Sequence, residues 1–152
     1  MAPPLILVDA DACPVKDEIY KVAFRHEVPV RIVANAFLRV PAHPLIERVT
    51  VGGGFDEADD RIAEAAGPRT VVVTADILLA DRCLKKGAAE IGPTGRAFTA
   101  ASIGGAIATR AIMADLRAGM DGPGGGPRPF SRQDRSRFLS ALDEALVRLK
   151  RG

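Results

Sequence analysis

Aspartates follow two apolar segments of the sequence at the point where each segment ends. Asp9 and Asp11 come just after the run Leu5–Val8, and Asp76 comes just after the run Thr70–Thr74. Such continuous runs are typical of strands buried on both faces of a parallel sheet. Because ligands of these sheets bind outside the carboxyl ends of the strands, we expect the three carboxylates to lie close together. Their oxygens favour a hard cation, Mg²⁺ or Mn²⁺, although each aspartate could instead cap the next helix.

A segment after three consecutive glycines offers further carboxylates. Residues 55–66 place apolar side chains at helical spacing, and Asp59 falls inside or just beside the apolar stripe, with Asp56 and Asp60 on its flank. A carboxylate on a core-facing stripe is costly unless it is paired or binds a metal ion. We therefore interpret Asp59 as a metal ligand, and Asp56 and Asp60 as further candidates. The alternatives are a basic partner, or an exposed helix start that favours acidic residues.

Basic side chains are the candidates for holding a phosphate-bearing substrate. Arg96 and Arg110 are expected near the same edge of the sheet, and Lys85 is a further candidate for a phosphate contact. Residues 1–109 hold 12 Lys or Arg and 14 Asp or Glu, net −2, whereas residues 110–152 hold 9 and 5, net +4. This asymmetry permits an acidic site that faces a basic rim, as a phosphodiester would need. A solvated, charged C-terminal helix is the alternative.

Strand-like and helix-like segments alternate along the chain, and this alternation predicts an α/β fold. The expected strands are residues 5–8, 30–34, 48–51, 70–74 and 88–91. The expected helices are residues 16–27, 55–66, 78–86, 100–117 and 132–150. The pattern favours a central parallel sheet with helices on both faces, which is a three-layer α/β/α arrangement.

A single domain over residues 1–152 is expected from the length and from the 47% of hydrophobic residues. The Gly- and Pro-rich segment 119–129 is predicted to be a loop before the C-terminal helix. The 2 cysteines give neither a disulfide framework nor a zinc pattern. No apolar run reaches the roughly 18 residues of a membrane span. We therefore expect a cytoplasmic protein with no membrane partner.

Three segments resemble the flap-nuclease branch of the PIN-like fold, which includes bacterial 5′-nucleases. Glu57–Asp60 is similar to the acidic Glu-Ala-Asp-Asp helix of these enzymes, Val72–Asp76 to their strand that ends in Thr-x-Asp, and Leu7–Asp9 to their first strand with its leading metal aspartate. The resemblance implies a nuclease in which one aspartate from each segment holds Mg²⁺ or Mn²⁺ for hydrolysis of a phosphodiester, which we expect to be in RNA. These catalytic aspartates are Asp9, Asp59 and Asp76.

Nearly the whole chain also resembles the YaiI/YqxD family of bacterial proteins, which is grouped with PIN-like domains. The hallmarks of that family correspond here to Val8–Pro14, to Val73–Ala80, and to Gly122-Pro123 through Pro129-Phe130. The resemblance implies a PIN-like fold throughout, and it implies less about the reaction.

The sequence departs from the 5′-nuclease pattern at Leu78, where active members carry a second aspartate two residues after the strand-end one. Asp81, about one helical turn further on, could replace it as a metal ligand. The departure keeps open a non-catalytic metal- or RNA-binding module. A third alternative is a phosphatase of the haloacid dehalogenase type, with Asp9 as nucleophile and Asp11 as acid/base. That family places its acidic pair late in the chain, so the early pair Asp59-Asp60 disfavours it.

Overall fold

The computed structural model describes residues 3–11, 13–54, 56–118 and 130–151, and within them strands and helices alternate as expected. The strands are β1 Leu5–Asp9, β2 Val30–Ala34, β3 Ile46–Thr50, β4 Thr70–Val73, β5 Ala89–Ile91 and β6 Ala97–Phe98. The helices are α1 Lys16–His26, α2 Glu57–Ala65, α3 Ile77–Lys85, α4 Ala100–Ala118 and α5 Arg132–Arg151. None of the described helices is long and apolar enough to cross a membrane. The predicted loop 119–129 lies outside the described residues.

The strands form one sheet in the order β3-β2-β1-β4-β5-β6. β1 lies parallel to β2 on one side, with Val8 opposite Ile32, and parallel to β4 on the other, with Val8 opposite Val73. From β1 the chain adds β2 and β3 on one side of the sheet, and it then returns to add β4 on the other side of β1. The carboxyl ends of β1 and β4 therefore form a topological switch point. β1, which ends at Asp9, and β4, which is followed by Thr74, are therefore neighbours in the sheet.

Helices cover both faces of the sheet, which confirms the three-layer α/β/α arrangement. Successive residues of β1 alternate between the faces: Ile6 and Val8 pack in the core with α1 and α5, whereas Leu7 packs with α2 and α3. The apolar face of α5 is buried in the same core as Ile6 and Val8. Its fully buried side chains are Phe138, Leu142 and Leu146. Because burial of each such side chain stabilises the fold by about 1.5–3 kcal/mol, α5 is an integral layer of the structure.

The sheet is parallel except at one edge, where the sequence did not predict a sixth strand. β6 pairs antiparallel with β5, and Ile91 lies opposite Ala97. In the turn between them the Gly95 N–H donates to the Gly92 carbonyl oxygen at 2.9 Å, and the φ of Gly95 is 89°, a value that favours glycine. A strand of two residues has no periodicity that a sequence pattern could reveal.

Other element boundaries differ from the prediction by one or two residues. β3 begins at Ile46 rather than at Arg48, and α2 begins at Glu57 rather than at position 55, which lies outside the described residues. Asp56 explains the later start of α2. Its φ of 64° is left-handed, so it cannot continue the helix toward the N-terminus.

Candidate functional site

The ends of β1 and β4 bring Asp9 and Asp76 together through one hydroxyl group. Thr74, the residue after β4, donates a hydrogen bond from Oγ1 to Asp9 Oδ2 at 2.8 Å. The same Thr74 oxygen accepts a hydrogen bond from the backbone N–H of Asp76 at 3.0 Å. One side chain therefore fixes both the carboxylate that ends β1 and the backbone that leads into α3.

Asp76 caps α3, so the capping role considered for it is present. Its Oδ1 accepts hydrogen bonds from the backbone N–H of Leu78 at 2.9 Å and of Leu79 at 3.2 Å. These are donors that the start of a helix would otherwise leave unpaired. Within the part of the chain that the structure describes, the second oxygen, Oδ2, makes no hydrogen bond. Capping thus occupies one oxygen and leaves the other for a cation.

Asp59 reaches the same place from α2, where it is half-buried beside Ala58 and Ile62 of the core. The pKa of Asp59 is raised to about 6, mainly by burial and in addition by the negative charges of Asp76 and Asp9. The positive charge of Arg82 opposes this rise. Like charges raise a carboxyl pKa in this way only at short range, because salt screens charges that are more than about 8–10 Å apart. Asp59 therefore lies within electrostatic range of Asp76 and Asp9.

Asp9 is perturbed in the same direction. Burial raises the pKa of Asp9, the hydrogen bond from Thr74 opposes that rise, and the charges of Asp11 and Asp76 add to it. The second oxygen of this carboxylate, Oδ1, makes no hydrogen bond among the described residues. Asp9 therefore combines a fixed orientation with an oxygen that can still bind a ligand.

The three carboxylates of Asp9, Asp59 and Asp76, called the acidic edge below, suit a loosely held cation rather than a closed cage. Among the described residues, no three Asp, Glu, His or Cys side chains lie close enough together to hold one ion. Mg²⁺ does not require such a set, because it is usually bound through one or two carboxylates and keeps several waters. Oxygen donors that repel one another fit Mg²⁺ or Mn²⁺ bound partly through water.

Asp11 lies beside the acidic edge, but its carboxylate is engaged. Its oxygens accept hydrogen bonds from the backbone N–H of Asn35 at 3.0 and 3.1 Å, and Oδ2 also accepts one from Asn35 Nδ2 at 2.9 Å. These bonds tie the loop after β1 to the loop after β2. Asp11 acts on the acidic edge through its charge, which helps to raise the pKa of Asp9.

Two other ligand candidates, Asp60 and Asp81, have basic partners. Asp60 Oδ1 lies 3.0 Å from Arg82 Nη2, and Asp81 Oδ2 lies 3.0 Å from Lys85 Nζ. These pairs neutralise both carboxylates, and the second pair also occupies the Lys85 ammonium that was a candidate for a phosphate contact. Asp56 differs, because it stands at the N-cap position of α2 and its charge contributes to the electrostatics of the acidic edge.

The two arginines predicted to hold phosphate lie on different elements. Arg96 follows the turn after β5, and its guanidinium carbon lies 4.6 Å from the centroid of the Phe98 ring. Arg110 is exposed on α4. Arg96 is thus pre-oriented by an aromatic face near the carboxyl end of a strand, whereas Arg110 projects from a helix surface.

Sequence reasoning missed how the loops around the acidic edge are held. The two hydrogen bonds of the Thr74 hydroxyl could have been anticipated, since this residue is the threonine of the Thr-x-Asp pattern. A second anchor is Glu57, whose Oε2 accepts a hydrogen bond from the backbone N–H of Gly52 at 2.6 Å and so folds the glycine run onto the start of α2. Leu78, which takes the place of the second nuclease aspartate, is 45% exposed beside the cap of α3.

Comparison with known proteins gives matches over nearly the whole chain. The model of the family described as "Uncharacterized BCR, YaiI/YqxD family" matches residues 7–148. A UPF0178 protein of Sphingopyxis alaskensis is 69% identical over 152 residues, covering 100% of this chain and 99% of that protein. A UPF0178 protein of Jannaschia sp. is 62% identical over 147 residues, covering 96% and 94% of the two chains. No solved structure gives a significant match.

Proposed function

The chain belongs to the YaiI/YqxD family, and we propose that it is a PIN-like nuclease that uses Mg²⁺ or Mn²⁺ to hydrolyse phosphodiester bonds in RNA. The observation that carries this proposal is the coupling of Asp9, Asp59 and Asp76 at the switch point of the sheet. Each of these aspartates comes from a different segment of the nuclease-like pattern. Carboxylates whose pKa is raised by neighbouring negative charges, as those of Asp9 and Asp59 are, recur at functional sites.

The acidic edge would hold the cation through oxygens that other contacts leave available. Asp9 Oδ1 and Asp76 Oδ2 are such oxygens within the described residues. The nearby negative charge of Asp59 would add to the attraction for the cation. A bound Mg²⁺ or Mn²⁺ would supply an activated water and would stabilise the leaving oxygen. Thr74 keeps Asp9 in one orientation, so the geometry of the site does not depend on the cation alone.

Basic side chains on other elements would hold the substrate. Arg96 and Arg110 are the candidates that make no ion pair with an acidic side chain among the described residues, in contrast to Lys85. The free and buried thiols of Cys13 and Cys83 suit a reducing compartment, and we place the activity in the cytoplasm.

The same contacts favour a nuclease over a phosphatase of the haloacid dehalogenase type. Such a phosphatase would use Asp11 as an acid/base, but the oxygens of Asp11 are occupied by Asn35. It would also need a lysine at the site, and Lys85 is paired with Asp81.

A second candidate function is a metal- or RNA-binding module without catalysis. It is favoured by the exposed Leu78, which stands where an active 5′-nuclease has a carboxylate. It is also consistent with carboxylates that do not converge on one point among the described residues.

The test is cleavage of single-stranded RNA by the purified protein in Mn²⁺. We expect Asp9→Asn and Asp59→Asn to lower the rate at least about 100-fold, the scale of a lost electrostatic group at a catalytic centre. Asp60→Asn is the matched control, because it changes the same charge on the same helix but at a residue paired with Arg82. If RNA stays intact while Mn²⁺ raises the melting temperature, the non-catalytic module is correct. Cleavage that survives both substitutions would exclude the acidic edge as its source.

A further inference from the structure

A groove of about 520 Å³ lies between the β5–β6 hairpin and α5. Gly95 sets how closely its walls approach. A β-carbon at this position would lie 2.7 Å from the carbonyl carbon of Arg137, so only glycine lets the hairpin backbone rest against α5. Polar side chains on both walls face the groove. They are Thr94 and Arg96 on the hairpin and Ser136, Arg137 and Ser140 on the helix.

Consecutive residues of the hairpin line the groove and a small cavity at the acidic edge. This cavity, of about 30 Å³, is lined by Asp9 and Thr74 of the site and by Pro93 of the hairpin. Pro93 is followed directly by Thr94 on the groove wall, and consecutive Cα atoms are only about 3.8 Å apart. An extended ligand that leaves the acidic edge past Pro93 therefore meets the groove at the next residue.

The chemistry of the groove suits a phosphate backbone. Arg96 and Arg137 stand on opposite walls, and guanidinium groups bind phosphate oxygens through paired hydrogen bonds. Hydroxyl groups between them can donate to phosphate and sugar oxygens, which are the contacts that position a nucleic acid without reading its bases.

The acidic side chains that also line the groove are engaged by neighbours. Asp134 is 1% exposed, and its Oδ2 accepts a hydrogen bond from the Ser131 backbone N–H at 3.0 Å in the first turn of α5. Glu144 forms an ion pair with Arg148 one turn further along the helix. Asp134 Oδ1 also lies 3.9 Å from Arg137 Nη1, but the Arg137 side chain remains 55% exposed. Arg137 and Arg96, on opposite walls, are therefore the charges that an incoming polyanion meets.

We propose that this groove binds the sugar–phosphate backbone of a single-stranded nucleic acid whose neighbouring phosphodiester lies at the acidic edge. The inference rests on the proposed function for the identity of the ligand, but binding in the groove requires neither cation nor cleavage. Recognition is of the backbone, because the groove offers guanidinium and hydroxyl groups and Phe98 is already covered by Arg96.

The experiment measures binding of labelled single-stranded RNA by fluorescence anisotropy in the presence of a chelator. Two lengths are compared, a dinucleotide and a strand of about eight nucleotides, which is within the span that such grooves cover. We expect Arg137→Glu and Arg96→Glu, on opposite walls, each to weaken binding of the longer strand at least about tenfold and to reduce the slope of log affinity against log salt by about 1 or more. Binding of the dinucleotide should change much less. Lys21→Glu, an equal charge reversal on the exposed side of α1, is the control.

The outcomes separate this inference from the nuclease proposal. If no substrate is cleaved but the two groove variants still lose length-dependent binding, the groove inference stands and the nuclease proposal fails. If RNA is cleaved but both groove variants bind the longer strand as well as the Lys21→Glu control does, the groove inference is overturned. Equal affinity of the groove for heparin and for RNA, lost in the same variants, would also overturn it, because the groove would then accept any polyanion.

Discussion

Carboxylates occupy two different environments on the face of the sheet that α2 and α3 cover. At the acidic edge, Asp59 is half-buried, and its pKa of about 6 reflects burial together with the charges of other aspartates. Glu90 on β5 lies opposite Val72 and is 2% exposed, and neither of its carboxylate oxygens has a hydrogen-bond partner among the described residues. Burial raises the pKa of Glu90 to about 8, and the Thr74 backbone opposes that rise.

The difference between the two regions shows which perturbed acid needs a ligand. Glu90 is neutral at pH 7 because its pKa lies above that value, so the fold can bury it without a counterion. Asp59, with a pKa below 7, is mostly ionised at the same pH next to other carboxylates. A perturbed pKa alone therefore does not mark a site. Negative charge that persists at neutral pH beside other carboxylates, with no ion pair among the described residues, is the better criterion.

The largest effect is expected from Glu90→Gln, which keeps the shape of the neutral acid and removes its ionisation. The pKa of Glu90 is raised from 4.5 to about 8 in the folded state. The wild type therefore has its full stability below about pH 4.5 and loses stability as the pH rises from there through 8. The variant should match the wild type near pH 4 and exceed its free energy of unfolding by about 3 kcal/mol at pH 7. Urea denaturation at several pH values measures the difference. A constant difference across this range would mean that Glu90 is charged or solvated.

Divalent cations should stabilise the acidic edge and leave the Glu90 region unchanged. At about 100 times the dissociation constant, Mn²⁺ should add roughly 2.7 kcal/mol to the free energy of unfolding, and the melting temperature should rise by several degrees. Asp9→Asn should abolish this rise, whereas Glu90→Gln and Asp60→Asn should retain it. A rise that survives Asp9→Asn would place the cation elsewhere.

Removing one repelling charge should stabilise the protein in the absence of metal. Asp59→Asn is expected to raise the free energy of unfolding at pH 7 by about 1 kcal/mol, a value reduced for the partial exposure of the side chain. Because the pKa of Asp59 is raised from 3.8 to about 6, ionisation of Asp59 lowers the free energy of unfolding of the wild type as the pH rises through that range. The advantage of the variant should therefore appear over the same range. Thermal melting in a chelator tests the prediction, and a loss of stability at pH 7 would contradict it.

The smallest effect is expected at a paired carboxylate far from both regions. Asp143 Oδ1 lies 2.6 Å from His26 Nε2, and this hydrogen bond is the main cause that lowers the pKa of Asp143. A lowered pKa stabilises the fold at pH values above the ordinary pKa of an aspartate. This stability is lost as the pH falls through the pKa of the folded state. Asp143→Asn should therefore cost at most about 1 kcal/mol near pH 7 and nothing at pH 2, with the Mn²⁺ effect intact. Denaturant titrations at the two pH values provide the measurement.

The sequence predicted the parts of the molecule that depend on local pattern. Apolar runs located β1 and β4, and the residues that end them located Asp9 and Asp76, because a parallel sheet places carboxyl ends at one edge. The helical spacing of the apolar residues around Asp59 correctly indicated its position beside the core.

Other features depend on contacts between distant segments and had no local signal. Asp11 and Asn35 are 24 residues apart and meet only when β1 and β2 pair. Glu90 occupies a strand of three residues, too short for its burial to be visible in an alternating pattern. The walls of the groove come from a hairpin and from α5, which are brought together by the close approach of Gly95 to Arg137.

The central position of β1 has a consequence for the order in which the protein can be assembled. Thr74 and Asp9 are 65 residues apart, so the hydrogen bond between them forms only after a large loop has closed. During synthesis β1, β2 and β3 emerge first, and until β4 arrives β1 has an unpaired edge that is built from fully buried residues. A nascent chain at this stage exposes an apolar strand whose edge can pair with other chains. This is the stage at which the protein would depend most on a chaperone.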